Sequence, residues 1–336
     1  MKTVHRQPIP FAIALPAGLL ILICMFVAAL TLGAADTTVQ DVWTALVSED
    51  APSHLSIIHE LRLPREIAAA FVGAALAVSG AIMQGITRNP LADPGLLGLT
   101  AGAGAALAIT LALLPSAGTF WIMLACLAGA ALGAMLVFGV GSMKRGGFSP
   151  FRIVLAGAAI SAFLYAITDG IGLYFRISKD VSMWTAGGLV GTTWDQLRII
   201  VPFITVGVCL SLLLARQVTI LSLNEEVAVG LGQNIRAIKF ALFGIVIMLA
   251  GASVALVGNL VFVGLMVPHI VRAIIGTDYR FVLPMCAIAG ATLMLLADTV
   301  GRTIHAPFET PVIAVIAMMG IPFFLVIVRK GGQAFS

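Results

Sequence analysis

FALFGIVIMLAGASVALVGNLVFVGLMVPHIVRAII, residues 240–275, decides how this chain is folded. Its 36 residues carry almost no polar break. As a single helix it would be about 54 Å long, against a bilayer core of about 30 Å. It has to fold back, and Gly258-Asn259 is the plausible turn. The second helix, roughly 260–275, is then short and carries Pro268, His269 and Arg272. In so apolar a run these three could form a catalytic site, a metal site, or a boundary between lipid and water.

The whole chain shares this character. Of 336 residues 60% are apolar and 10% charged, and mean hydropathy is +1.09. A soluble domain has about 45–50% apolar and about 25% charged residues, so this chain lacks the polar surface to cover itself in water. Cys24, Cys126, Cys209 and Cys286 each sit alone in an apolar segment without CxxC spacing, which argues against disulfides and zinc. GxxxxGK[ST] is absent, so if ATP drives the protein another chain binds it. The apolar run from Phe11 to Ala35 is too long for a signal-peptide core and reads as a retained first span.

Turn residues divide the chain into ten expected spans: 11–33, 64–87, 94–113, 119–141, 150–172, 196–215, 237–257, 260–275, 281–300 and 311–328. The expectation is an all-α polytopic membrane protein with one domain over 1–336. With the N-terminus inside, thirteen of the nineteen Lys and Arg face the cytoplasm, as the positive-inside rule favours. The other six, Arg62, Arg65, Arg176, Lys179, Arg198 and Arg302, lie outside. GAALAVSG at 73–80 and GASVALVG at 251–258 match at an offset of 178, which also pairs Pro90 with Pro268 and Gly98 with Gly276. An odd number of spans separates the copies, so helices 2–5 and 7–10 would form an inverted repeat.

Several polar places interrupt the apolar pattern. In TRNPLADPGLLG, 87–98, Pro90 ends a helix and Asp93-Pro94 starts another, giving either a tight connection or a gate. In SLNEEVAVGLGQNIRAIK, 222–239, Ser222 and Glu225 have capping-box spacing. A short helix ending at Gly232 would either dock another protein or lie solvated. Arg62 and Arg65, with Asp298 and Arg302, fall at outer helix ends. Asp298 and Arg302 are four apart and can pair, while arginines at such ends either snorkel or receive a partner's carboxylates. His54 and His59 do not share a helical face, and Asp169 is an isolated acid in the fifth span.

RLPR (62–65), GAALAVSGAIMQGITRNPLADPGLLGLTAGA (73–103), FVGLMVPHIVR (262–272) and LADTVGR (296–302), in this order, resemble one family. It is the permease subunits of ATP-binding-cassette importers for iron–siderophores, haem and cobalamin. LAGAAIS (155–161), MWTAGGLVGTTW (183–194) and GIPFF (320–324) extend the likeness over nearly the whole chain. The resemblance implies a bacterial cytoplasmic-membrane subunit with both termini inside and no enzymatic activity or cofactor of its own. It pairs with a second permease subunit, with the path between them. Two ATPase subunits, which bind ATP and Mg, lie below, and a substrate-binding protein docks above. The resemblance places ATPase docking at Glu225, Glu226, Ala228, Gly230 and Gly232, within a coupling loop over 216–239. It places binding-protein docking at Arg62, Arg65 and Arg302, and the inner gate at Asn89, Leu91, Pro150 and Phe151. Pro268 then ends a short eighth helix, with His269 and Arg272 at the cytoplasmic boundary. The expected cargo is an iron–siderophore, with haem or cobalamin as alternatives. An ion-coupled secondary transporter would need ionisable residues mid-span, and an intramembrane enzyme a facing catalytic pair; the sequence is poor in both.

Overall fold

The computed structural model describes residues 9–33, 38–47, 56–142, 150–185, 188–223, 225–306 and 308–329. The helices of the first half are α1 (Phe11–Thr31), α2 (Val39–Val47), α3 (Leu63–Thr87), α4 (Leu99–Leu113), α5 (Thr119–Ser142) and α6 (Pro150–Tyr174). A π-helical turn, Ile58–Arg62, leads into α3, and a 3-10 turn, Pro94–Leu97, leads into α4. After α7 (Ser178–Thr185) come α8 (Trp194–Leu213), α9 (Ala215–Leu223) and α10 (Glu225–Gly230). The chain continues through α11 (Ile235–Val257), α12 (Val263–Ile275), α13 (Tyr279–Thr303) and α14 (Val312–Arg329). Each of the ten expected spans has its helix. Seven are long and apolar enough to cross a membrane, and α4, α12 and α14 are shorter.

The inverted arrangement is visible in the packing. Exchanging α3 with α11, α4 with α12, α5 with α13 and α6 with α14 maps contacts onto contacts. The α3–α13 contact corresponds to α11–α5, α4–α5 to α12–α13, and α4–α6 to α12–α14. The 178-residue offset is not its register, however. Helix starts pair Leu63 with Ile235, Leu99 with Val263, Thr119 with Tyr279 and Pro150 with Val312, all closer in sequence than 178. The octapeptides instead share the small residues that membrane helices use to approach one another. A Cβ on Gly73 of α3 would lie 2.2 Å from the Gly290 carbonyl of α13, and one on Gly80 would lie 2.0 Å from that of Gly264 in α12. α4 and α5 meet in the same way, through Gly102 and Gly129.

The opening stretch folds back where expected but with a wider break. α11 stops at Val257, Gly258 takes a left-handed φ of 73°, and α12 begins only at Val263. Residues 258–262 are non-helical, and Gly258 and Leu260 are buried in protein, where irregular backbone is tolerated. Pro268 does not end the helix; α12 runs through it to Ile275 and stops at Gly276, whose φ is 92°. Pro90 behaves as expected: α3 ends at Thr87, Arg88 adopts the left-handed conformation, and the proline follows.

Candidate functional site

α3 and α13 lie against each other along much of their length, and polar side chains gather at both ends of the pair. At the first end, Asp298 of α13 is fully buried and shared by two arginines. Arg65 donates from Nε and Nη2 to its carboxylate at 2.9–3.1 Å, and Arg302 Nε lies 2.9 Å from Oδ2. Arg302 Nη2 also bonds the buried Glu66 carboxylate and donates to the Ala29 carbonyl of α1 at 3.0 Å. Arg62 Nη1 donates to the Leu30 carbonyl at 2.8 Å. Arg65 Nη1 reaches outward to Glu309, 2.9 Å away. Three cations and three anions thus balance, which is how a cluster of charges survives away from water.

The expected pairing of Asp298 with Arg302 is present. The three arginines expected to dock a binding protein are engaged within the chain itself. Arg62 and Arg302 are 7% exposed and bonded to the chain's own carbonyls and acids, and Arg65 is held by Asp298 and Glu309. Sequence reasoning missed Glu66 and Glu309. Glu66 follows directly on RLPR, four residues after Arg62, so a helical-spacing argument could have found it. Beside the network a cavity of about 450 Å³ opens, lined by Arg65, Trp184, Gln196 and Glu309 and by residues 188–192 and 255–257.

The second end centres on a buried amide. Gln84 of α3, 3% exposed, donates from Nε2 to the Gly264 carbonyl at 3.1 Å. Its Oε1 accepts from Arg272 Nη2 at 2.5 Å. Thr219 of α9 accepts from the Tyr279 backbone N–H at 2.9 Å and donates to Asp278, the N-cap of α13. Asp278 also pairs with Arg280, whose hydrogen bond holds the carboxyl below the usual carboxylate range. His269 packs edge-on against Phe323, which gives it a structural contact.

The residues expected to form the gate lie at this same end. Asn89 Oδ1 accepts from the Leu91 N–H at 3.0 Å, so the asparagine shapes the turn between α3 and the 3-10 helix. Asp93 caps that helix through the Gly95 N–H at 2.8 Å, and burial pushes its carboxyl up to about 6. α6 packs on the same 3-10 helix. Pro150 and Phe151 are the first residues of α6, and their side chains lie outside the described residues.

The short helix expected at the coupling loop is α10, and Gly232 with φ 74° ends its turn. Ser222 does not cap it. The serine belongs to α9, an additional helix, and donates to the Thr219 carbonyl. Ala228 is buried, whereas Val227, Val229 and Leu231 expose 45%, 62% and 63% of their surfaces. The side chains of Glu225 and Glu226 lie outside the described residues. On α6, Ser161, Tyr165 and Asp169 recur every four residues and so share one face; Tyr165 and Asp169 are exposed. Asn259, from the break between α11 and α12, donates to the Tyr165 hydroxyl at 3.2 Å.

Ten apolar helices among the described residues, three of them short, make this a multi-pass membrane protein with polar clusters at two ends. The FecCD transport family profile matches residues 20–330, and the chain belongs to that family. The iron(3+)-hydroxamate import system permease protein FhuB of Bacillus subtilis is 43% identical over 319 residues, 95% of this chain and 83% of that relative. The hemin transport system permease protein HmuU of Yersinia pestis is 37% identical, covering 93% of this chain and 94% of the relative. A solved inward-facing transporter assigned to the metal-chelate ABC type superposes with a TM-score of 0.80 and 26% identity, covering 94% of this chain and 98% of its own. The chain is accordingly a multi-pass bacterial inner-membrane permease of the ABC importers.

Proposed function

We propose that the chain carries ferric siderophores across the membrane as one of a pair of permease subunits, driven by ATPase chains. The observation carrying this reading is the polar stripe Ser161, Tyr165 and Asp169 on α6, with Asn259 beside it. An acid exposed on a membrane helix calls for water or a protein partner rather than lipid. A path between α6 and a second permease subunit supplies both. Siderophore cargo is supported by the FhuB relative, and haem is the alternative that the HmuU relative keeps open.

The Gln84 end faces the cytoplasm in this reading, because Arg88, Arg216, Arg236, Arg272, Arg280 and Arg329 cluster near the helix ends there. The exposed Val227 and Val229 of α10, with Leu231 just after it, form the docking ridge for the ATPase chain. A binding protein meets the opposite end, where Glu309, Asp195 and Arg198 present charge to solvent.

Uptake of radiolabelled ferric hydroxamate, ferric catecholate and haem, in cells with and without the chain, tests the assignment. Loss of ferric hydroxamate uptake, restored by the wild type and reduced about tenfold or more in Asp169→Leu, is the expected result. Loss confined to haem, or full transport by Asp169→Leu, would overturn the cargo or the path respectively.

A further inference from the structure

Pro268 lies inside α12 and has no N–H. In an uninterrupted helix that N–H would bond the carbonyl four residues back, which is Gly264. A buried carbonyl without a donor is costly, so the missing bond must be supplied from elsewhere. Gln84 supplies it, because α3 and α12 touch at Gly80 and Gly264 and residue 84 lies one turn further along α3. The same amide accepts from Arg272, two turns along α12. One side chain therefore grips both the start and the end of the short helix.

The adjoining residue faces the other way. A Cβ on Gly85 would come within 2.7 Å of Val218 on α9 and 3.0 Å of the Tyr279 ring on α13. Val218 is followed by Thr219, which bonds Asp278 and the Tyr279 N–H. α9 in turn packs on α10. A continuous chain of contacts leads from the exposed ridge of α10, through α9, to the turn of α3 that holds α12.

We propose that Gln84 is the positioning residue that makes α12 follow the α9–α10 segment, so that movement at the ATPase-docking ridge is transmitted to the transport path. The inference rests on the ATPase docking proposed above. It assigns Gln84 a part in coupling beyond satisfying a carbonyl.

The test uses the complete transporter in proteoliposomes, with ATP hydrolysis and uptake of the labelled siderophore measured side by side. Co-purification of the ATPase with the wild-type chain is established first, and its absence would overturn both the docking and the coupling. In Gln84→Leu, subunit assembly and ATP hydrolysis stay within about twofold of wild type while siderophore moved per ATP falls about tenfold. Adding Pro268→Ala restores an N–H for Gly264 but not the link to Arg272. The double variant therefore stays uncoupled, whereas a purely structural role for Gln84 predicts rescue. If Gln84→Leu does not assemble, Arg272→Met cuts the same link from the other side, together with the Arg272 interaction with Tyr279, and gives the same loss of coupling. Rescue by Pro268→Ala, normal coupling in Gln84→Leu, or normal coupling in Arg272→Met would each overturn the proposal.

Discussion

The two ends of the α3–α13 pair solve the same packing problem with different chemistry. At one end six charged side chains cross-link α1, α3, α13 and Glu309, just before α14, with Asp298 fully buried at the centre. At the other, the Gln84 amide, the Thr219 hydroxyl and the Asp278 carboxylate, with Arg272 and Arg280 as their partners, join α3, α9, α12 and α13. Removing one partner of a buried ion pair costs about 3–5 kcal/mol, whereas leaving a buried neutral polar group unpaired costs about 1–3 kcal/mol. The first end is therefore the harder of the two to pull apart. Glycine contacts at Gly73 and Gly290 keep the middle of the pair rigid, since neither residue leaves room for a side chain.

The largest effect should come from Asp298→Ala, which strips both Arg65 and Arg302 of their shared carboxylate. The expected loss is about 3–5 kcal/mol, read as a lower unfolding temperature of the purified chain in detergent. A variant as stable as wild type would erase the contrast between the ends. A smaller effect, about 1 kcal/mol, is expected from Asp278→Ala, which removes the N-cap of α13. Its pH dependence sharpens the comparison. The Asp278 carboxyl is held low in the folded chain by its hydrogen bond to Arg280. Its contribution is therefore complete above the ordinary carboxylate pKa and disappears as pH falls through the lowered folded value. The stability gap between wild type and Asp278→Ala should close on acidification; a gap that widens would contradict the assignment.

Much of this architecture is legible in the sequence because lipid imposes a length rule on helices. The ten spans follow from apolar runs and their turn residues, and the Asp298–Arg302 pairing follows from helical spacing. α10 was expected from turn chemistry, but its serine cap was misassigned. Ser222 could not reveal from spacing alone that residues 215–223 continue as a helix packed on α3 and α13. The non-helical segment 258–262 escaped because Leu260, Val261 and Phe262 are as apolar as a helix would be. The internal engagement of Arg62 and Arg302 depends on carbonyls of α1 that lie far away in the chain, which no local pattern encodes. Gln84 had a signal, a lone amide in an apolar run. Its meaning requires knowing that Pro268 sits across from it.

Pulsed electron–electron distance measurements test the contrast between the ends most directly. Spin labels replace Leu61 and Ile304, both exposed at the ion-paired end, or Leu223 and Ile274 at the other, in a background without the native cysteines. The assembled transporter is measured with and without ATP and Mg. The account predicts a shifted distance between Leu223 and Ile274 and an unchanged one between Leu61 and Ile304. A shift between Leu61 and Ile304 as large as that at the Gln84 end would contradict it.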